Sequence, residues 1–148
     1  MSLCLFAKLI LPDLNLRLWA YARSSSPRPE VLIRQMQGLL AEAEQNGWQI
    51  VGTSQDMSTG RTLARMGLWE AQRAIQQQQA NALLVEDVWR ISHEYCTALR
   101  VLEFLQDRGA VLICTQCDVS YVLYVKGLSQ ALYQRAASKG LGLPWKIE

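Results

Sequence analysis

The sequence lacks a strong excess of either charge: its formal net charge is +2, from 15 Lys+Arg and 13 Asp+Glu. This balance is too mild to indicate a nucleic-acid-binding protein by bulk electrostatics alone. Half of the 148 residues are hydrophobic and 19% are charged, which excludes the composition of a disordered chain. The length fits one domain, whose core is large enough to be stable without disulfides or a metal.

Histidine and cysteine are also scarce. The chain has one histidine, His93, and four cysteines, Cys4, Cys96, Cys114 and Cys117. The tight pair Cys114 and Cys117 has neither a second such pair nor a histidine pair beside it, which makes it a weak zinc signal. It follows the apolar run 111–113, so we interpret both as reduced, buried thiols at the end of a strand. We therefore expect no metal and no cofactor.

Long hydrophobic runs are missing. Residues 1–11 are apolar apart from Ser2 and Lys8, but a membrane span needs about 20 residues. The segment also lacks the basic start and the cleavage site of a signal peptide. We expect a cytoplasmic protein without membrane association, in which residues 1–15 form an N-terminal extension, either an extra strand or a loosely attached segment.

The first third of the chain alternates between strand and helix patterns. Period-two alternation over Leu16–Ala22 predicts a strand, with Tyr21 and Arg23 on the face opposite Leu18. Pro29 then begins a helix that Asn46 and Gly47 end. The remaining predicted segments are a strand over 48–52, a polar loop over 53–64, a helix over 66–79, a strand over 82–86, a helix over 94–108, a strand over 110–115 and a helix over 121–138.

This repeated alternation is typical of an α/β domain with right-handed crossovers. The sequence predicts a mostly parallel central sheet of about four to five strands, flanked by helices. In the first helix we expect Leu40 among the inward residues, and in the second we expect Leu68, Trp69, Ala71 and Ile75 in the core. No linker divides residues 16–148, so we expect one domain there and no separate DNA-binding domain.

Ligands bind at the carboxyl ends of the strands in such sheets. Arg23 and Ser25 follow the first predicted strand, Arg65 follows the loop after the second, and Arg90 follows the third. Arginine forks suit phosphate, and 11 of the 15 basic residues are arginine. Three arginines and a serine at one rim fit a site that stabilises a phosphate while a hydroxyl attacks it.

Simpler explanations exist for these residues. Ser24–Ser26 precede two prolines and also fit a turn that caps a helix. A single loop arginine is usually a surface residue, and His93 also fits a hydrogen-bonding role at a helix start. An unrelated flavodoxin-like nucleotide binder is a weaker alternative, because the chain has neither a GxGxxG nor a Walker loop.

The order of the motifs is more specific than any one of them. The chain has Y-A-R-S-S-S at 21–26, Gln35 in the first helix, D-M-S-T-G at 56–60 and R-M-G-L at 65–68. Over about residues 18–115 this order resembles the serine recombinases, the resolvase–invertase family. Their pattern is Tyr-x-Arg-Val-Ser, a helix glutamine, Asp-x-x-Ser-Gly, Arg-Pro/Lys-Gly-Leu and Asp-Arg-Leu-Ser/Gly-Arg.

The resemblance implies a function and a set of roles. The chain would be the catalytic domain of a site-specific DNA recombinase, of the kind found on mobile elements, which cleaves and rejoins strands through a 5′-phosphoserine. Ser25 matches the nucleophile, and Arg23, Arg65 and Arg90 match the phosphate-binding arginines. The auxiliary positions are Gln35 (which matches after a one-residue insertion), His93, Asp56 and Tyr21. The implied partners are DNA and either further copies, as a dimer or tetramer, or a recombinase partner.

The chain departs from the family pattern at several positions close to the implied site residues. Trp89 stands where the family has aspartate, His93 where it has a second arginine, and Ser24 where it has valine. The first two changes remove a carboxylate and a guanidinium from the site, although His93 offers a cation or general acid near neutral pH. The alternative function is therefore a catalytically degenerate recombinase-fold protein that acts as a binding or assembly subunit.

The last thirty or so residues are mildly basic. They contain Lys126, Arg135, Lys139 and Lys146, and no acid occurs between Val119 and Ile147. Such charges fit phosphate contacts and a solvated helix face equally well. We see no sequence-reading module here, so we expect base-specific recognition to need a partner.

Overall fold

The fold is given by a computed structural model that describes residues 15–57, 65–92 and 94–116. The expectations for the N-terminal extension, Ser58–Gly60, His93, Cys117 and the last helix lie outside these residues. The elements are strand β1 (Arg17–Ser24), helix α1 (Pro29–Asn46), strand β2 (Gln49–Met57), helix α2 (Met66–Gln76), strand β3 (Ala82–Val85), a 3-10 turn (Val88–Arg90), helix α3 (Tyr95–Asp107) and strand β4 (Val111–Cys114).

The strands form a four-stranded sheet in the order β2-β1-β3-β4, and every pairing is parallel. This confirms the predicted α/β class and the parallel sheet. The chain leaves β1 toward β2 on one side and later returns to β3 on the other side. The carboxyl ends of β1 and β3 therefore border the crevice at which open α/β sheets bind ligands.

Helices cover both faces of the sheet. Helix α1 packs its buried Leu39 and Ala43 into a cluster with Leu18 and Ala20 of β1. Helices α2 and α3 pack on the opposite face, in a cluster that includes Tyr21. The two faces predicted for β1 are thus confirmed. Coverage on both sides also explains why β3 and β4 are continuous apolar runs.

Strand β2 is longer than the sequence pattern predicts. The prediction of a polar loop over 53–64 is wrong for residues 53–57, which belong to the strand. Parallel pairing with β1 continues from Arg17 opposite Gln49 to Ser24 opposite Met57. In the described sheet β2 pairs only with β1, and alternate residues in its second half are exposed, which permits a polar sequence there. Asp56 consequently lies in a strand, opposite Arg23, rather than in a loop.

Two apolar side chains expected in the core are exposed. Trp69 is 58% exposed because Leu68, Ala71 and Ile75 occupy the inner face of α2. Leu40 lies next to the buried Leu39, about 100° around the axis of α1, and therefore outside its narrow buried stripe. Helix α2 also ends at Gln76, three residues earlier than predicted.

The described residues contain neither a group of side chains able to hold a metal ion nor a helix able to cross a membrane. Cys114 is buried at the last residue of β4. In residues 15–57, 65–92 and 94–116, no three His, Cys, Asp or Glu side chains come together in a group able to hold a metal ion. No helix in these ranges is both long enough and apolar enough to cross a membrane.

A tryptophan of β1 lies directly over a glycine of β2. The indole Nε1 of Trp19 donates to the hydroxyl of Ser54 at 2.8 Å, and that hydroxyl donates to the carbonyl of Gly67 at 2.6 Å. A Cβ placed on Gly52 would lie 2.2 Å from a ring carbon of Trp19. The hydrogen bond fixes the ring, so the ring has little freedom to move aside.

We therefore expect Gly52→Ala to lower the free energy of unfolding by about 1–3 kcal/mol, the usual cost of overpacking. Urea denaturation followed by tryptophan fluorescence measures this change. Gly38→Ala is the matched control, since no atom lies within 4 Å of a Cβ at that exposed helical position. It should raise the free energy of unfolding by about 0.4–1 kcal/mol. Equal effects of the two substitutions would contradict the packing argument.

Candidate active site

The candidate site lies where β1 and β3 end. Ser25 is exposed and follows β1 directly, while the turn Val88–Arg90 begins three residues after the end of β3. The last pair between these two strands is Ala20 with Leu84. Beyond that pair β1 has no strand neighbour on its β3 side among the described residues, and side chains take over the hydrogen bonding there.

The three serines after β1 differ in their surroundings. Ser24 is buried, and its hydroxyl accepts the backbone N–H of Ser26 at 3.0 Å. The hydroxyl of Ser26 accepts the N–H of Arg28 at 3.3 Å. Ser24 and Ser26 thus have the turn role that the simpler interpretation gave them. Ser25, between them, is exposed.

Gln35 of α1 fixes the backbone of Arg23. Its Oε1 accepts the N–H of Arg23 at 3.1 Å, and its Nε2 donates to the carbonyl of Arg23 at the same distance. The glutamine is buried, and these two hydrogen bonds satisfy its side-chain oxygen and nitrogen away from water. This pairing ties α1 to the end of β1, two residues before Ser25.

Two arginine side chains bind three consecutive backbone carbonyls. The guanidinium of Arg23 donates through Nε to the carbonyl of Arg90 at 2.9 Å and through Nη2 to the carbonyl of Trp89 at 2.8 Å. Arg65 donates through Nη2 to the carbonyl of Ile91. The carbonyls at the end of a helical turn lack partners within it and carry partial negative charge. They therefore hold both guanidiniums against the turn.

Arg90 reaches back toward β1. Its Nη1 donates to the carbonyl of Arg23 at 3.2 Å, so this carbonyl accepts from both Gln35 and Arg90. Its Nη2 lies 2.9 Å from Oε1 of Glu86, and its Nε donates to the same oxygen at 3.3 Å. The side chain of Arg90 is 32% exposed, unlike the buried Arg23 and Arg65.

Arg65 is the least satisfied of the three arginines. It is only 3% exposed, and its Nε and Nη1 have no hydrogen-bond partner in the part of the chain that the structure describes. Its guanidinium carbon lies 5.9 Å from the centroid of the Tyr21 ring, within the range of a cation–π contact. Burial lowers the pKa of Arg65, and burial together with the nearby Arg65 lowers that of Arg23.

Asp56 organises the start of α2. Its two carboxylate oxygens accept the N–H groups of Gly67 and Leu68, both at 2.9 Å, and one of them also accepts the hydroxyl of Tyr21 at 2.8 Å. A carboxylate at a helix N-terminus is stabilised by the helix dipole. Because Arg65 immediately precedes α2, Asp56 fixes the segment that carries Arg65.

Gly67 leaves no room between α2 and β2. A Cβ at this position would lie 2.6 Å from the backbone carbonyl oxygen of Gln55. The start of α2 can therefore approach β2 closely only with glycine here. This close approach brings the N–H groups of Gly67 and Leu68 to Asp56.

The structure thus gathers most of the predicted site residues. Arg23, Arg65 and Arg90 meet at the turn, Gln35 holds Arg23, and Tyr21 and Asp56 lie beside Arg65, whereas His93 lies outside the described residues. The indole of Trp89 packs against the core cluster on the α2 and α3 face, and its backbone N–H donates to Asp87 at 3.1 Å.

Sequence reasoning missed Glu86, the carboxylate paired with Arg90. Its signal in the sequence was the spacing of four residues between an acidic and a basic side chain, which places the two within reach on a helical turn. The short strand pattern ending at Glu86 hid this signal.

The surroundings of Tyr21 predict an alkaline loss of stability. Burial raises the pKa of Tyr21 more than the charge of Arg65 lowers it, and the hydrogen bond to Asp56 raises it further. An unfolded tyrosine has a pKa of about 10. The stabilisation is therefore complete below pH ~10 and is lost as the pH rises toward the pKa of the folded state, because only the unfolded chain then releases the proton.

We expect Tyr21→Phe to remove this part of the pH dependence. Above pH ~10 the free energy of unfolding of the unchanged chain should fall more steeply, by up to about 1.4 kcal/mol per pH unit. Chemical denaturation of both chains between about pH 8 and pH 11 measures the difference in slope. All other tyrosines contribute equally to the two curves, so parallel curves would contradict the role given to Tyr21.

Comparison with known protein families identifies one family that matches most of the chain. The family described as the resolvase N-terminal domain matches residues 18–126. No curated protein sequence matches the chain.

Solved structures of similar fold include catalytic domains of recombinases. A resolvase family site-specific recombinase from Streptococcus pneumoniae has a TM-score of 0.68 at 20% identity, covering 84% of this chain and 88% of its own. The N-terminal catalytic domain of TP901-1 integrase gives 0.68 at 18%, covering 84% and 96%. The C-terminal catalytic domain of ISC1926 TnpA, an IS607-like serine recombinase, gives 0.65 at 21%, covering 84% and 80%.

At these identities the structures establish the fold alone, but the family match spans well over half of the chain. The fold is that of a serine recombinase catalytic domain, and the chain belongs to the resolvase N-terminal domain family.

Proposed function

We propose that this chain cleaves and rejoins DNA strands through Ser25, as the catalytic domain of a site-specific recombinase. One observation carries the proposal: three guanidiniums meet at the turn around Arg90, beside the end of β1, and Ser25 is the exposed hydroxyl that follows that strand. A cluster of desolvated positive charge next to a hydroxyl suits attack on a phosphodiester.

The proposed reaction consists of two transfers. The Oγ of Ser25 forms a bond to phosphorus, its proton leaves to solvent or a base, and the bond from phosphorus to the 3′ oxygen breaks with protonation of that oxygen. The DNA 5′ end is then a phosphoserine ester. A 3′ hydroxyl later attacks the same phosphorus and releases Ser25. Each transfer exchanges one phosphoester bond for another, so no external energy source or oxidant is required.

The three arginines have different proposed roles. Arg65 has buried donors that find no partner among the described residues, and a phosphate oxygen would satisfy them and neutralise its charge. Arg90 is partly exposed and binds the backbone near Ser25, which suits direct phosphate contact. Arg23 is buried with donors on two carbonyls of the turn, so we assign it to positioning that turn.

We further propose that the chain acts on DNA in an assembly. Its catalytic domain would comprise residues 16–148, with an extension at 1–15. The assembly is either a dimer or tetramer of this chain or a complex with a recombinase partner that supplies sequence recognition. The second arrangement suits the alternative function, in which the chain is a degenerate binding or assembly subunit.

The first test is whether Ser25 becomes bonded to DNA. A pool of short duplexes with randomised sequence and a central nick makes cleavage hard to reverse and requires no known target site. We expect the unchanged chain to give an adduct that survives denaturing electrophoresis, and Ser25→Ala to give none. Ser26→Ala is the matched control, one residue further along the same turn, and should keep the adduct.

Three results would change this assignment. An adduct that persists in Ser25→Ala contradicts the assigned nucleophile. If only the doubly changed chain, Trp89→Asp with His93→Arg, forms an adduct, the unchanged chain is the degenerate subunit of the alternative function. If no variant forms an adduct, DNA cleavage is contradicted.

The second test concerns Arg65. We expect Arg65→Gln to slow adduct formation by about 10²–10³-fold, the usual cost of removing a donor that stabilises transition-state charge. Single-turnover kinetics at saturating DNA measure the rate. Arg73→Gln makes the same charge change at an exposed position of α2 and should leave the rate within about twofold. Equal slowing by both substitutions would indicate only a general electrostatic effect.

A further inference from the structure

One carboxylate outside the predicted site binds a predicted site arginine. Glu86 follows β3 directly and precedes Arg90 by four residues, so the 3-10 turn brings the two side chains together. One oxygen of Glu86 contacts both Nε and Nη2 of Arg90, at 3.3 Å and 2.9 Å. The pair is only partly exposed, with 18% of the Glu86 side chain and 32% of the Arg90 side chain accessible to solvent.

The contact with Glu86 restricts the orientation of Arg90 but does not occupy all of its N–H donors. A guanidinium has five N–H groups. Within the described residues Glu86 takes two of them and the carbonyl of Arg23 takes a third, through Nη1. When only contacts with the described residues are counted, one N–H on each terminal nitrogen remains for a phosphate oxygen. Contacts with Glu86 on one side and Arg23 on the other restrict the rotation of this plane.

The location of the contacts links this pair to the proposed nucleophile. The carbonyl that Arg90 binds belongs to Arg23, two residues before Ser25, and Gln35 holds the same carbonyl. The orientation of the Arg90 side chain is therefore defined relative to the backbone that carries Ser25. A group that orients Arg90 also sets its distance from a phosphate at Ser25.

We propose that Glu86 is the positioning residue for Arg90 in the strand-transfer reaction, in the place of a carboxylate at position 89. Trp89 brings no carboxylate, and its indole packs against the core cluster. Glu86 supplies the negative charge from one turn earlier in the chain. This inference rests on the proposed function, because a positioning role requires a reaction at Ser25.

The physical reason for an effect on rate is orientation. Without Glu86 the Arg90 guanidinium keeps its charge and its contact with Arg23 but loses the contacts that restrict two of its nitrogens. Misplacement of a catalytic group by about 1 Å can cost on the order of 10²-fold in rate. Removal of one negative charge should at the same time leave DNA affinity equal or higher. The rate should thus fall without a loss of DNA affinity, which simple damage to the fold would not produce.

The experiment compares single-turnover adduct formation and DNA affinity on the randomised nicked duplexes. Glu86→Gln should slow the adduct rate by about 10- to 100-fold without weakening DNA binding. Glu70→Gln, the same charge change at an exposed position of α2, should leave the rate within about twofold. Adding Trp89→Asp to Glu86→Gln should recover most of the rate. Adding Trp89→Asn to Glu86→Gln should not, because asparagine has the size of aspartate but no charge.

A second variant protects the test against misfolding. Glu86→Asp retains the charge but is one methylene shorter, so its rate should lie between those of the unchanged chain and Glu86→Gln. Urea denaturation establishes whether each variant is folded. If Glu86→Gln is not folded, the adduct rate of Glu86→Asp tests the inference instead. A folded variant with an unchanged rate overturns the inference, and so does a loss of rate that Trp89→Asp fails to recover.

The same set separates this inference from the proposed function. If the unchanged chain forms the adduct and folded Glu86→Gln forms it at the same rate, only the inference is overturned. If the unchanged chain is inactive while Trp89→Asp alone forms the adduct, Glu86 does not supply the missing carboxylate, and the unchanged chain is the degenerate subunit of the alternative function. If the unchanged chain, Trp89→Asp and the double variant with His93→Arg are all inactive, DNA cleavage is contradicted and the inference with it.

Discussion

The site depends on the binding of guanidiniums to the carbonyls of residues 89–91. A short turn after β3 would not by itself hold charged side chains away from water. Here Arg23 enters from β1 and Arg65 from the start of α2, and both donate to consecutive carbonyls of the turn. The backbone of one element therefore gathers charges from two others. The positive charge of Arg65 disfavours that of Arg23, as the lowered pKa of Arg23 indicates. The carbonyl dipoles, the ring of Tyr21 and the carboxylate of Asp56 oppose this repulsion.

The sequence predicted the fold well because its signals are local and repeated. The alternation of β1 and the apolar runs of β3 and β4 depend on which face is buried, and that pattern is visible in a single segment. The end of β2 was missed because Thr53–Met57 is polar, and only the pairing with β1 at the sheet edge makes it a strand. Trp69 was misplaced for a related reason: its neighbours on α2 already fill the available interior.

The grouping of the candidate site residues was predictable, but their contacts were not. Parallel strands bring their carboxyl ends to one edge, so the order of motifs was enough to group Arg23, Arg65 and Arg90. Residue types do not reveal which arginine side chain binds backbone carbonyls and which has donors left without a partner in the described part of the chain. Those contacts depend on how deeply each side chain is buried and on the exact course of the turn. Glu86 was missed because it directly follows β3, whereas its partner Arg90 lies in the 3-10 turn. No single periodicity covers both residues.

The close approach of α2 to β2 at Gly67 limits how this chain can diverge. Position 56 supports the helix start, the tyrosine hydroxyl and the segment of Arg65 together, so a change there damages architecture and chemistry at once. Position 89 is different, because its side chain packs against the core while its backbone carbonyl still serves Arg23. The proposed chemistry can therefore be altered at 89 in a chain that still folds, whereas a change at 56 or 67 would disturb the fold as well.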